Sequence, residues 1–85
     1  MEIAYTQQAL SDIKYWKEMN NKAILIKITN LLLSIEQDPF KGIGKPEPLK
    51  HKYAGLWSRR LNNEHRLIYQ IFDTHVLILS LKDHY

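Results

Sequence analysis

Leu56-Trp57-Ser58-Arg59-Arg60-Leu61-Asn62-Asn63-Glu64-His65-Arg66-Leu67-Ile68-Tyr69-Gln70-Ile71-Phe72 is the stretch whose reading decides the fold. Apolar and polar residues alternate on either side of Asn62-Asn63, the pattern of two half-buried strands joined by a turn. The spacing predicts strands over Leu56–Leu61 and His65–Phe72. Past Asp73-Thr74, the segment from Val76 to His84 continues as another strand. Ahead of Tyr53-Ala54-Gly55, Leu49 to His51 reads as a further one. The four make an antiparallel meander.

Toward the N-terminus the period changes. Residues 39–48 hold all three prolines and two of the three glycines, a density that no helix or central strand tolerates. This connection of about ten residues exceeds the usual 4–6, as working loops often do. Before it, Ile24, Leu25, Ile28, Leu31, Leu32 and Ile35 trace one helical stripe. Pro39 disfavours helical geometry at Asp38, so the helix ends near Gln37. Ala9, Ile13 and Trp16 mark an earlier helix from about Gln7 to Asn20, and Asn20-Asn21 breaks it and caps the next. Glu2 to Thr6 reads as a strand with Ile3 and Tyr5 on one face. The order is β-α-α-β-β-β-β, an α+β fold with two helices on one face of a mostly antiparallel sheet.

The 85 residues make one domain, 1–85, with no room for a second lobe. An apolar fraction of 45% and a charged fraction of 25% are those of a folded globular chain. Cysteine is absent, which removes disulfides and thiolate chemistry and suits the cytoplasm. No apolar run approaches a membrane span, so no membrane association is expected, and no signal peptide is visible. Gly42, Gly44 and Lys45 lack phosphate-loop spacing, and Pro46 follows the lysine. The net charge of +3 is concentrated: residues 39–68 carry +5, interleaved with Tyr53 and Trp57. That combination suits a phosphate-rich, base-bearing partner.

Strand parity sorts the side chains, because alternate residues face opposite sides of a sheet. Leu67, Tyr69 and Ile71 are expected against the helices, as are Leu77, Leu79 and Leu81. Arg66, Ile68, Gln70, Ser80, Lys82 and His84 then share the open face. Parity adds Arg60 to that face and leaves Arg59 unexplained. Glu47, held extended between Pro46 and Pro48, and Lys50 enter from the Pro-rich loop and the strand after it. One carboxylate, one histidine and several cations are what metal-free RNA cleavage needs: a base for the ribose 2′-OH, an acid for the departing 5′-oxygen, and a fixed positive charge for the phosphate. Arginine suits the last task because it stays charged and binds in a fork. Asp83 favours the protonated form of His84, which fits an acid. No paired ligand spacing indicates a metal, and no cofactor is expected. A different class of protein also fits the charge, a non-catalytic basic module that binds ribosomal RNA or operator DNA.

Four blocks carry a resemblance: Gly44-Lys45-Pro46-Glu47-Pro48-Leu49-Lys50-His51, Gly55-Leu56-Trp57-Ser58-Arg59-Arg60, Glu64-His65-Arg66-Leu67-Ile68-Tyr69, and His84-Tyr85. In these the chain resembles the YoeB (Txe) toxins of the RelE superfamily. Residues 39–85 resemble them closely, and 1–38 mainly in length and pattern. The resemblance implies a microbial-ribonuclease-like fold and a type II toxin, an endoribonuclease that cuts mRNA in the ribosomal A site and halts translation. It implies an antitoxin of the YefM/Axe type, with operator DNA reached only through the antitoxin complex. Monomer and homodimer both stay open. The family's catalytic positions fall on Glu47, Arg66 and His84, as base, phosphate clamp and acid. Lys50, Arg59, Arg60 and Tyr85 are expected to support RNA binding, with Tyr85 stacking on a base or orienting the site.

Overall fold

A computed structural model describes residues 1–82. Strand β1 spans Glu2–Tyr5, helix α1 Gln7–Glu18 and helix α2 Lys22–Gln37. The strands β2 (Glu47–Pro48), β3 (Leu56–Arg60), β4 (Arg66–Ile71) and β5 (His75–Ser80) follow, with a short 3-10 turn at His51–Tyr53. The order matches the sequence reading, and the sheet runs β1-β5-β4-β3-β2. All pairings are antiparallel except β1 with β5, which is parallel. Two helices on a mostly antiparallel sheet make the α+β architecture that the alternating stretch predicts.

Each helix begins where a short polar side chain can satisfy a free backbone N–H. Thr6 Oγ1 accepts from Ala9 N at 3.0 Å and itself donates to Leu79 O at 2.8 Å, so one hydroxyl caps α1 and ties it to the sheet. Asn21 accepts from Ile24 N at 3.2 Å, and Asn20 takes the left-handed backbone (φ 54) that ends the preceding helix. Ile24, Ile28, Leu31 and Ile35 of α2 are buried with Ala9 and Trp16 of α1 against Leu67, Tyr69, Val76 and Ile78. Burial of one such aliphatic side chain contributes about 1.5–3 kcal/mol, so this stripe is what seats α2 on the sheet.

Two expectations need correction. The expected strand at Leu49–His51 lies earlier, at Glu47–Pro48, with one more ladder bond from Leu49 N to Leu56 O at 2.8 Å. Pro48 is tolerated there because β2 is the edge of the sheet. Parity in β5 is also different from the simple alternation. Val76 and Ile78 face the helices, while Leu77 stands opposite Gln70 on the other side. The ladder slips between Tyr69↔Ile78 and Ile68↔Ser80, and the extra residue, Leu79, is a bulge. After it the alternation is reset: Ser80 faces the open side and Leu81 returns to the core. The strand ends at Ser80, and the end of the expected strand, including His84, lies outside the described residues.

Tyr69 is fully buried, and desolvation holds its hydroxyl pKa above the ordinary value of 10, the Arg59 hydrogen bond opposing but not cancelling it. Burial, then Glu36, raises Tyr5 in the same direction. As pH rises past 10, the unfolded chain gives up these protons first and binds fewer than the folded one. Stability is therefore constant up to about pH 9 and falls above about pH 10 as far as these groups are concerned. Thermal unfolding of the protein and of Tyr69→Phe across that range checks this, with a shallower alkaline decline expected in the variant.

Candidate active site

The face of the sheet away from the helices is organised by register. Glu47 pairs with Ser58, Ser58 with Ile68, and Ile68 with Ser80, a row across four strands. Beside it Arg60 stands opposite Arg66. Like charges directly opposite on neighbouring strands repel, so this pair is unfavourable unless an anion joins it. Glu47 supplies part of that charge: its Oε1 lies 3.1 Å from Arg66 Nη1. The same nitrogen lies 3.4 Å from Ser58 Oγ. The Glu47 side chain is 56% exposed and that of Arg66 23% exposed, so the pair contributes little to stability and stays open to an incoming group.

The backbone around Glu47 is constrained. Lys45 (φ 52) and His51 (φ 58) both hold left-handed geometry, which costs a non-glycine residue about 1–3 kcal/mol. Between them Pro46 and Pro48 fix their own φ angles, and β3 holds Glu47 by its ladder. Lys50 is exposed at the entrance of the 3-10 turn. A hollow there is lined by Leu49, Lys50, His51, Lys52 and Tyr53.

The structure thus brings Glu47, Arg60 and Arg66 onto one face, with Lys50 three residues beyond Glu47. His84 and Tyr85 lie outside the described residues. Arg59, expected among the RNA-binding groups, sits elsewhere. It is fully buried on the helix side, and its donors reach Tyr69 Oη (3.1 Å), Ser34 Oγ (2.7 Å), Ile43 O (3.1 Å), Asp38 O (2.8 Å) and Lys41 O (3.0 Å). A guanidinium has five N–H donors, and these contacts use all of them. Ser58 was legible from its parity with Arg60, yet its contact with Arg66 depends on register that the sequence does not carry. Ser80 Oγ is buried and has no hydrogen-bond partner, the only such side-chain atom among the described residues.

The last described residues are fastened to α1 and to the turn after β3. Leu81 N donates to Asp12 Oδ2 at 2.9 Å, and Leu81 O accepts from Trp16 Nε1, also at 2.9 Å. His65 Nδ1 contacts Lys82 O, and Lys82 Nζ lies 4.0 Å from the centre of the Tyr15 ring. Among the described residues no three His, Cys, Asp or Glu side chains cluster as metal ligands would, and no helix is long and apolar enough to cross a membrane.

Residues 5–85 match the family described as YoeB-like toxin of bacterial type II toxin-antitoxin system. Toxin YoeB of Synechocystis sp. is 49% identical over 85 residues, covering 100% of this chain and 98% of that protein. A YoeB/ParE toxin from Agrobacterium tumefaciens superimposes with a TM-score of 0.92 at 33% identity, each chain fully covered. The YoeB dimer from Staphylococcus aureus superimposes at 0.88 with 45% identity, and the YoeB-YefM complex from the same organism at 0.86 with 46%. Each covers 100% of this chain and 98% of its own. Fold and length agree with these matches, and the chain belongs to the YoeB-like toxins of bacterial type II toxin-antitoxin systems.

Proposed function

We propose that this toxin is an endoribonuclease that cuts mRNA on the ribosome, in the A site, and so stops translation. The observation that carries the reading is the Glu47–Arg66 contact at 3.1 Å on a face where Arg60 stands opposite Arg66. A carboxylate held beside two permanent cations puts a proton acceptor next to a phosphate site. Glu47 takes the proton of the ribose 2′-OH, and the oxygen attacks the adjacent phosphorus. Arg66 and Arg60 bear the growing charge on the phosphate oxygens, and Lys50 anchors a neighbouring phosphate. His84 returns a proton to the departing 5′-oxygen, leaving a 2′,3′-cyclic phosphate and a free 5′-hydroxyl. Tyr85 stacks on a base.

The partners in this reading are the ribosome, its mRNA and an antitoxin of the YefM type, all in the cytoplasm. The Staphylococcus aureus relative forms a complex with YefM and also a dimer, which supports the same two associations here. Operator DNA is reached through the antitoxin complex. The test is cleavage mapping on translating ribosomes with an mRNA carrying a 2′-deoxy nucleotide at the cut site. The all-ribose message is expected to be cut and the deoxy message to survive. Efficient cutting of the deoxy message would sink the mechanism, and an uncut ribose message would leave only the basic binding module.

A further inference from the structure

Arg59 poses a question that the RNA-cleaving face does not answer. A buried charge is costly unless its surroundings replace the lost water, and an apolar side chain of similar size would fill the space more cheaply. Among the described residues no carboxylate lies within ion-pair distance of Arg59. Its surroundings are neutral oxygens, and most belong to one segment. Asp38, Lys41 and Ile43 offer their carbonyls to the guanidinium directly. Pro39 O accepts from Tyr69 Oη at 2.7 Å, and that hydroxyl accepts from Arg59 Nε. The next carbonyl along, Gly44 O, accepts from Arg60 N at 2.6 Å.

The connection between α2 and β2 therefore has its own carbonyls turned inward onto a single side chain of β3 and its neighbours. Glycine makes this approach possible: a Cβ at Gly42 (φ 131) would collide with Ser34 Oγ and come within 2.9 Å of Arg59 Nη1. Three residues past Gly44, Glu47 pairs with Ser58, the immediate neighbour of Arg59.

We infer that Arg59 is a positioning residue, a buried cation that moulds the 38–44 loop and so delivers Glu47 to Arg66. The inference rests on the proposed cleavage reaction. Misplacing a reacting group by about an ångström can cost on the order of a hundredfold in rate while leaving ligand affinity almost intact. Arg59 thus acts on turnover and has no part in holding RNA.

The test uses Arg59→Lys, Arg59→Ala and the milder Ser34→Ala, which removes one acceptor of the cage. Folded fraction is taken from thermal unfolding, and single-turnover cleavage and ribosome binding are measured per folded molecule. Arg59→Lys is expected to cut about 10–100-fold more slowly and to bind within about twofold of the parent. Ser34→Ala should fall between the two. Guanidinium ion added to Arg59→Ala should restore part of the rate. Tryptic cleavage after Lys41, whose carbonyl Arg59 holds, should accelerate in each variant in the order of its rate loss. Normal turnover with Arg59→Lys and Ser34→Ala, or a loss confined to ribosome affinity, overturns the inference. If the parent protein cuts no message, the proposed reaction fails by itself, and tryptic cleavage after Lys41 still decides whether Arg59 moulds the loop: faster cutting in the variants than in the parent supports it, and equal rates overturn it.

Discussion

Glu47→Gln and Arg66→Ala are each expected to slow single-turnover cleavage of ribosome-bound mRNA by about 10²–10⁴-fold, with melting temperatures close to that of the parent. Glutamine keeps the shape of Glu47 and an oxygen for Arg66, but that oxygen has no useful basicity. Its loss therefore falls on proton removal from the 2′-OH. Arg66→Ala removes the charge proposed to meet the phosphate, and it also releases Glu47 and the Ser58 hydroxyl from their shared contact. The fold should hardly notice either change, because a half-exposed ion pair contributes only about 0–1 kcal/mol. Ribosome binding separates the two variants: Glu47→Gln should bind like the parent, and Arg66→Ala somewhat more weakly. Cleavage rate, binding and thermal unfolding measured side by side decide the matter. Two folded variants that cut at the parental rate would make the non-catalytic basic module the better account.

Trp16→Ala has the largest expected effect on stability, a loss of about 3–5 kcal/mol. Trp16 is 6% exposed, packs edge-on against Tyr15 and His65 with ring centres 5.0 and 5.1 Å apart, and donates to Leu81 O. Truncation opens a cavity in the core and leaves a buried carbonyl without its donor. Small domains have only about 5–15 kcal/mol to lose, so the variant should be partly unfolded at 37 °C. Trp16→Phe divides the effect, since it keeps much of the packing and loses only the hydrogen bond, at about 1–2 kcal/mol. Urea unfolding of the three proteins measures both. A loss under about 1 kcal/mol for Trp16→Ala would mean that Asp12 alone fastens Leu81 and that the surrounding core closes over the gap.

What could be read from the residues, and what could not, follows from the range over which each feature is determined. The helices were legible because the Asn20-Asn21 break, the Ala9, Ile13 and Trp16 spacing and the stripe from Ile24 to Ile35 are local. Arg60 and Arg66 were legible because alternation fixes a face without knowledge of the partner strand. The Leu79 bulge was not, since a bulge is a mismatch between two strands and each strand looks regular alone. It cost the assignment of Leu77 and Leu79, while Leu81 and Ser80 fell on the expected sides only because the extra residue reset the count. Arg59 stayed unexplained for a similar reason. A charged residue in a basic stretch looks exposed until a loop 16–21 residues earlier in the chain is seen to fold its carbonyls around it.

The parallel contact between β1 and β5 has a consequence in time. Tyr5 pairs with Ile78, and Thr6 is bonded to Leu79, 73 residues away. Synthesis proceeds at roughly 5–20 residues per second, so the earliest strand waits on the order of 4–15 s for its neighbour to be made. Until then α1 has no β5 to seat upon, and the core that Val76, Ile78 and Leu81 complete does not exist. Such long-range closure is slow to nucleate even in a finished chain. A protein proposed to attack translating ribosomes is thereby kept unfinished, its first strand unpaired and its core open, for as long as β5 has not been made.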